Sequence, residues 1–110
     1  MNDPLLKGIA AAASAVDTTR EQRAAHVAQI VRDRRRYRWV GIYDVNENDD
    51  ALLLGEAGQG PTGARLSMPI LGAESGALMG TLDVEVGSEL TREDEAFLDD
   101  CVAAMLALFE

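Results

Sequence analysis

The chain has a single cysteine (Cys101), a single histidine (His26) and a single lysine (Lys7). One cysteine excludes an internal disulfide and points to the cytoplasm, or at least to a protein that does not depend on oxidation. No run reaches the roughly 18 apolar residues needed to span a bilayer. The first residues hold one acid and one lysine ahead of an alanine run that reads as helix, which is not the expected pattern of a signal peptide. His26 falls on an expected helix among arginines with no second ligand nearby, so it reads as a surface or interface side chain. It supports neither a metal site nor a Ser/His/Asp triad. The stretch Gly58-Gln59-Gly60-Pro61-Thr62-Gly63 has neither the glycine spacing, the following lysine nor the helix start of a phosphate loop. Glu47, Asp49 and Asp50 lack the length and closing glutamate of a calcium loop, so a solvated turn is expected there. With these classes set aside, no obvious catalytic group is left. We expect a protein that is not an enzyme and carries no cofactor or metal.

Charge is also missing where a nucleic-acid binder would need it. The net charge of −9 divides into +4 over residues 1–38 and −13 over residues 39–110. The acidic part should repel nucleic acid and anionic membranes. The bases gather in Arg32, Arg34, Arg35, Arg36 and Arg38. An anion patch is one reading of this cluster. A helix C-terminus whose cations complement the macrodipole and pair with the acidic sheet is the reading we adopt.

The 110 residues, 47% of them apolar, suffice for one domain with its own core. Two helices are expected in segment 1–36. Residues 4–16 align Leu5, Ile9, Ala12, Ala13 and Val16, with Pro4 in the first turn. Residues 19–35 align Ala24, Val27, Ala28 and Val31 behind a capping box, either Thr18 with Glu21 or Thr19 with Gln22. Their alanine-rich stripes suit close packing on a sheet or a second subunit. Segment 37–110 continues with strands at 37–45, 51–57, 66–71 and 77–86. A last helix opens at Thr91, with Asp94 at the capping-box position. Phe97, Leu98, Cys101, Val102, Met105, Leu108 and Phe109 form its wide apolar stripe, on which Cys101 reads as a small hydrophobe. The order ααββββα implies an α+β fold with one antiparallel sheet backed by helices.

Period-2 geometry divides the first strand. Trp39 and Tyr43 fall on one face, Val40 and Ile42 on the other. In the fourth strand Leu82, Val84 and Val86 alternate with Thr81, Asp83 and Glu85. Side by side, the two strands would offer one apolar face and one face of aromatics beside carboxylates. The second face is suited to a small molecule: an aromatic wall for an apolar or cationic group and two acids for an ammonium. A plain solvated sheet face is the competing reading.

Trp39-Val-Gly-Ile-Tyr43, the Leu53–Gly60 strand and turn, Ser67-Met-Pro-Ile70, Gly80-Thr-Leu-Asp-Val-Glu85 and Leu90-Thr-Arg-Glu-Asp94 occur in that order. Together they resemble the GAF domain, a small sensor fold related in shape to PAS. The resemblance implies that the first and last strands pair centrally. It also places Val40, Ile42, Leu82, Val84 and the Phe97–Phe109 stripe in one core. Within that superfamily the motifs look most like the free methionine-(R)-sulfoxide reductases, whose matching positions line the amino-acid pocket. Those positions are here Trp39, Tyr43, Asp83 and Glu85, the last a Glu where that family has Asp.

The chain departs from those enzymes in three ways. The segment that carries their catalytic cysteines has shrunk to Gly58–Leu66 and holds no cysteine. Arg65 stands where an acid often precedes the strand proline, Pro69. The lid that this segment supplies in other GAF domains is missing, so the site is expected to be an open shelf that a partner chain could cover.

The expected function is therefore a non-catalytic GAF-like sensory or binding module taking a small, amino-acid-like or other metabolite on Trp39, Tyr43, Asp83 and Glu85. Signalling would pass through helix-mediated homodimerisation or a partner protein, since the sequence shows no output domain. Two alternatives stay open: a pure dimerisation or interaction module without ligand, and a reductase-like protein that has lost its thiols.

Overall fold

The computed structural model describes residues 3–46, 48, 50–60, 65–86 and 90–109. Glu47 and Asp49 of the acidic turn and Pro61 to Gly63 of the glycine-rich loop lie outside the described residues.

Helix α1 spans Pro4–Ala13. Asp3 caps it by accepting the Leu5 N–H at 2.9 Å, and Pro4 needs no partner in the first turn. The helix stops at Ser14, whose hydroxyl donates back to the Ala10 carbonyl at 2.8 Å. That early stop removes Val16 from the expected stripe and leaves it 81% exposed. Helix α2 spans Arg20–Arg35 and is capped by Thr19 with Gln22, the second of the two capping boxes weighed above. It closes through Arg36 in a left-handed conformation at φ 55°.

Four strands follow: β1 (Trp39–Val45), β2 (Ala51–Gly58), β3 (Leu66–Leu71) and β4 (Leu78–Glu85). They form one antiparallel sheet in the order β2-β1-β4-β3, so the first and last strands are its central pair. Helix α3 (Arg92–Ala104) starts on the reciprocal Thr91–Asp94 capping box. The apolar stripe runs past it, but the helix does not. Met105 breaks the α-helix and Leu106–Phe109 tighten into a 3-10 turn that buries Leu108 and Phe109.

The register sets the two faces of the sheet. Val40 pairs with Val84 and Ile42 with Leu82, and these join Ile9, Val27, Val31, Leu98, Cys101 and Met105 in the core. In β2 a bulge opposite Ile42/Tyr43 shifts the alternation by one residue, so Leu54 is buried while Leu52 and Leu53 face out. Tyr37 precedes β1 rather than starting it. It is buried, and its hydroxyl donates to Asp94 of α3 at 3.0 Å.

The arginine cluster at the end of α2 is partly spent inside the fold. Arg35 pairs with Asp94 at 3.5 Å and lies over the Phe97 ring, and Arg38 pairs with Glu85 at 3.6 Å. Among the described residues no helix is long and apolar enough to cross a membrane.

Candidate functional site

Antiparallel pairing sets Trp39 opposite Glu85, Gly41 opposite Asp83 and Tyr43 opposite Thr81, all on the sheet face away from the core residues Val40 and Ile42. The four residues expected to form a site therefore do converge. Their setting differs from the open shelf expected of them. Trp39 is completely buried, Asp83 is 4% exposed and Glu85 3%. Trp39 is nonetheless not part of the contiguous hydrophobic core.

Local cover explains the burial. The indole lies flat along β1 over Gly41, where a β-carbon would stand inside the ring's Cζ2–Cη2 edge. Gly60 closes over the other side: a β-carbon there would come within 3.0 Å of Trp39 Cβ and 3.4 Å of Glu85 Oε2. The indole N–H donates to Glu56 Oε1 of β2 at 3.0 Å, satisfying the ring's one polar group.

Arg65 completes the cover. Its guanidinium carbon sits 5.7 Å from the Trp39 ring centre and 5.6 Å from that of Tyr43. The two rings stand 6.4 Å apart at 60°, and both lie within cation–π reach of the guanidinium. Arg65 Nε lies 3.3 Å from Asp83 Oδ2, and its NH1 donates to the Tyr43 hydroxyl at 3.3 Å. The other Asp83 oxygen accepts the Ser67 hydroxyl at 2.7 Å. A carboxylate this buried needs such partners, because an isolated one would be strongly disfavoured. Two buried acids thus face two arginines, Arg38 and Arg65, whose side chains are partly exposed.

Glu56, Ser67 and Arg38 were not singled out as site residues. In the sequence Arg65 stands out only as a departure from the reductase pattern. A signal for it was present: it is the sole base between Arg38 and Arg92, in a strongly acidic stretch. Arg38 belongs to the arginine cluster expected to pair with the acidic sheet, and it does so through Glu85; Glu56 and Ser67 carry no such signal, because strand register alone brings them to this face.

Cys101 is fully buried on α3 in the core, on the opposite side of the sheet from Trp39. Burial, reinforced by Asp100 and Asp3, pushes its thiol up to about 12. At pH 8 the group is therefore a protonated, inaccessible thiol. An aromatic disulfide reagent should leave the native protein unmodified at that pH and titrate one thiol once denaturant is added. Full reaction of the native protein would contradict the packing of α3. Among the described residues no group of three metal-ligating side chains converges.

No family model matches the chain, and no curated protein sequence matches it. Solved structures do. The GAF domain from Acinetobacter phosphoenolpyruvate-protein phosphotransferase aligns with a TM-score of 0.68 at 14% identity, over 94% of this chain and 90% of that one. A protein described as a GAF sensor, from Burkholderia vietnamiensis, aligns with a TM-score of 0.65 at 16% identity, over 92% of this chain and 85% of that one. At such identities the likeness is one of fold, and the fold is GAF-like: α+β, with a four-stranded antiparallel sheet and three helices in matching order.

Proposed function

We propose that the chain is a small-molecule sensory module whose ligand sits on the Trp39/Asp83 face, with no chemistry performed on it. The observation that carries this reading is the largest buried side chain, Trp39. It is buried apart from the hydrophobic core, against two buried carboxylates. Burying the indole stabilises the fold, but placing the carboxylates of Asp83 and Glu85 beside it costs desolvation that apolar neighbours would not. A binding site needs that combination of an apolar wall with a few convergent polar groups. Asp83 and Glu85 suit an ammonium, and the largely exposed side chain of Arg38 suits a carboxylate. The matching ligand class is a small zwitterion such as a free amino acid.

Trp39 is the only tryptophan and reports on its own site. Free methionine, its sulfoxide, other amino acids and cyclic nucleotides should be titrated while indole fluorescence is followed. A saturable change with one ligand, lost in Asp83→Ala and in the isosteric Asp83→Asn, is the expected result. If none of these ligands produces a response, the sensory reading fails and an interaction module becomes the better account. A shallow groove of about 300 Å³ would then be the first surface to test; it lies between edge strand β3 and α3, lined by Leu71, Val102, Ala103 and Leu106 together with the acids Asp99 and Asp100. The apolar stripe of α3 offers less to a partner, since Leu98, Cys101, Met105 and Leu108 are already buried within the chain.

A further inference from the structure

Everything an organic cation would need is present around the Arg65 guanidinium. Two aromatic rings lie within cation–π reach, a buried carboxylate lies 3.3 Å from Nε, and a phenol oxygen accepts from NH1. We propose that Arg65 is a tethered occupant of the site, holding the place of the ligand's cationic group, so that a guanidinium or ammonium ligand enters only by displacing it. This rests on the sensory reading above and adds the ligand's chemical class and a gate.

The placement of Arg65 makes displacement feasible. The residue immediately precedes β3, and its side chain is 39% exposed while Asp83 is 5% exposed. The acceptor therefore belongs to the rigid sheet, and the cation hangs from the end of a strand. Both of its polar contacts, at 3.3 Å, are longer than the roughly 2.7–2.9 Å of a good charge-assisted hydrogen bond. A free cation that is not tethered can approach Asp83 more closely. Against it stands the local concentration of a tethered group, which lies in the millimolar range for a short flexible link. Arg65 therefore sets a threshold: weak cations are excluded, and a ligand must add contacts of its own to Trp39, Tyr43 or Glu85 to win. Arg38 and Glu56, the other charges at this face, contact Glu85 and the indole N–H respectively rather than the guanidinium position.

Removing the tether should open the position to a free cation. Methylguanidinium and agmatine should be titrated into wild type, Arg65→Ala and Arg65→Gln, following Trp39 fluorescence and Tm. Sodium chloride controls for ionic strength and urea serves as the neutral isostere. Saturable binding at least about tenfold tighter in both variants than in wild type is expected, because the self-competition is gone. The response should vanish in Arg65→Ala/Asp83→Asn and should not occur with urea. Equal, non-saturating responses in wild type and in folded Arg65→Gln would overturn the proposal. The two failures are separable. A wild-type metabolite response with no guanidinium binding in the variants sinks the tether alone. Guanidinium rescue without any wild-type ligand sustains the tether and removes the sensory role.

Discussion

Gly55→Ala is expected to destabilise the protein by about 3 kcal/mol, at the upper end of what overpacking costs. Gly55 sits in β2 beside the bulge, facing α2. A β-carbon there would lie 2.8 Å from the Ala24 carbonyl carbon and 2.9 Å from Ala25 Cα, and closer still to the Ala25 nitrogen. All three are backbone atoms of a helix that presents alanines so that it can rest against the strand. No rotamer change relieves the clash; α2 must lift away, separating Val27 and Val31 from the rest of the core. Gly8→Ala is the matched control. Gly8 lies inside α1 and a β-carbon there meets nothing within 4 Å. Replacing a helical glycine with alanine should stabilise by up to about 1 kcal/mol. Thermal unfolding of the two variants should therefore move Tm in opposite directions. Similar shifts for both would mean that α2 does not approach β2 as closely as the structure shows.

Asp94→Ala should cost about 3 kcal/mol, because one carboxylate serves three neighbours. It accepts the Thr91 N–H and hydroxyl, each at 3.0 Å, in the capping box of α3. It also accepts the hydroxyl of buried Tyr37 at 3.0 Å and pairs with Arg35 at 3.5 Å. The substitution uncaps the helix and leaves the phenol without its acceptor. The largest influence on the Asp94 carboxyl is the Thr91 backbone hydrogen bond. With the Thr91 hydroxyl, Tyr37 and Arg35 it outweighs the opposing effect of burial and holds the carboxyl below its ordinary value of 3.8. A depressed folded-state value stabilises fully above the unfolded value and is lost as pH falls through the folded one. The stability gap between wild type and Asp94→Asn should accordingly hold at neutral pH and narrow only below about pH 4. Denaturant midpoints measured across that range check it. A gap that closes already between pH 5 and 7 would assign the effect to another group.

Much of the fold was legible because its signals are local. The Thr19–Gln22 and Thr91–Asp94 boxes are each complete within four residues, and both helices begin where those boxes place them. The alternation of Val40 with Ile42, and of Leu82 with Val84, specified the core face of both central strands. The failures occur where an apolar pattern continued past the residue at which the helix ends. Val16 fits the stripe of α1 and Phe109 that of α3, yet α1 ends at Ala13 and α3 at Ala104. Of the three leucines at 52–54, only the bulge decides that Leu54 is the buried one.

The candidate site divides in the same way. Sequence alone placed Trp39, Tyr43, Asp83 and Glu85 on one side of two strands, because side chains alternate along a strand whatever surrounds it. That this face is covered was decided in three dimensions. The indole lies down over Gly41, Gly60 closes on it, and Arg65 reaches Tyr43, 22 residues back, and Asp83 across the sheet. Those contacts join β1, β4 and the start of β3 through hydrogen-bond register, which no single strand's pattern contains. The chain's local chemistry thus determined which residues share this sheet face, and the register between distant strands determined that Arg65 packs against it.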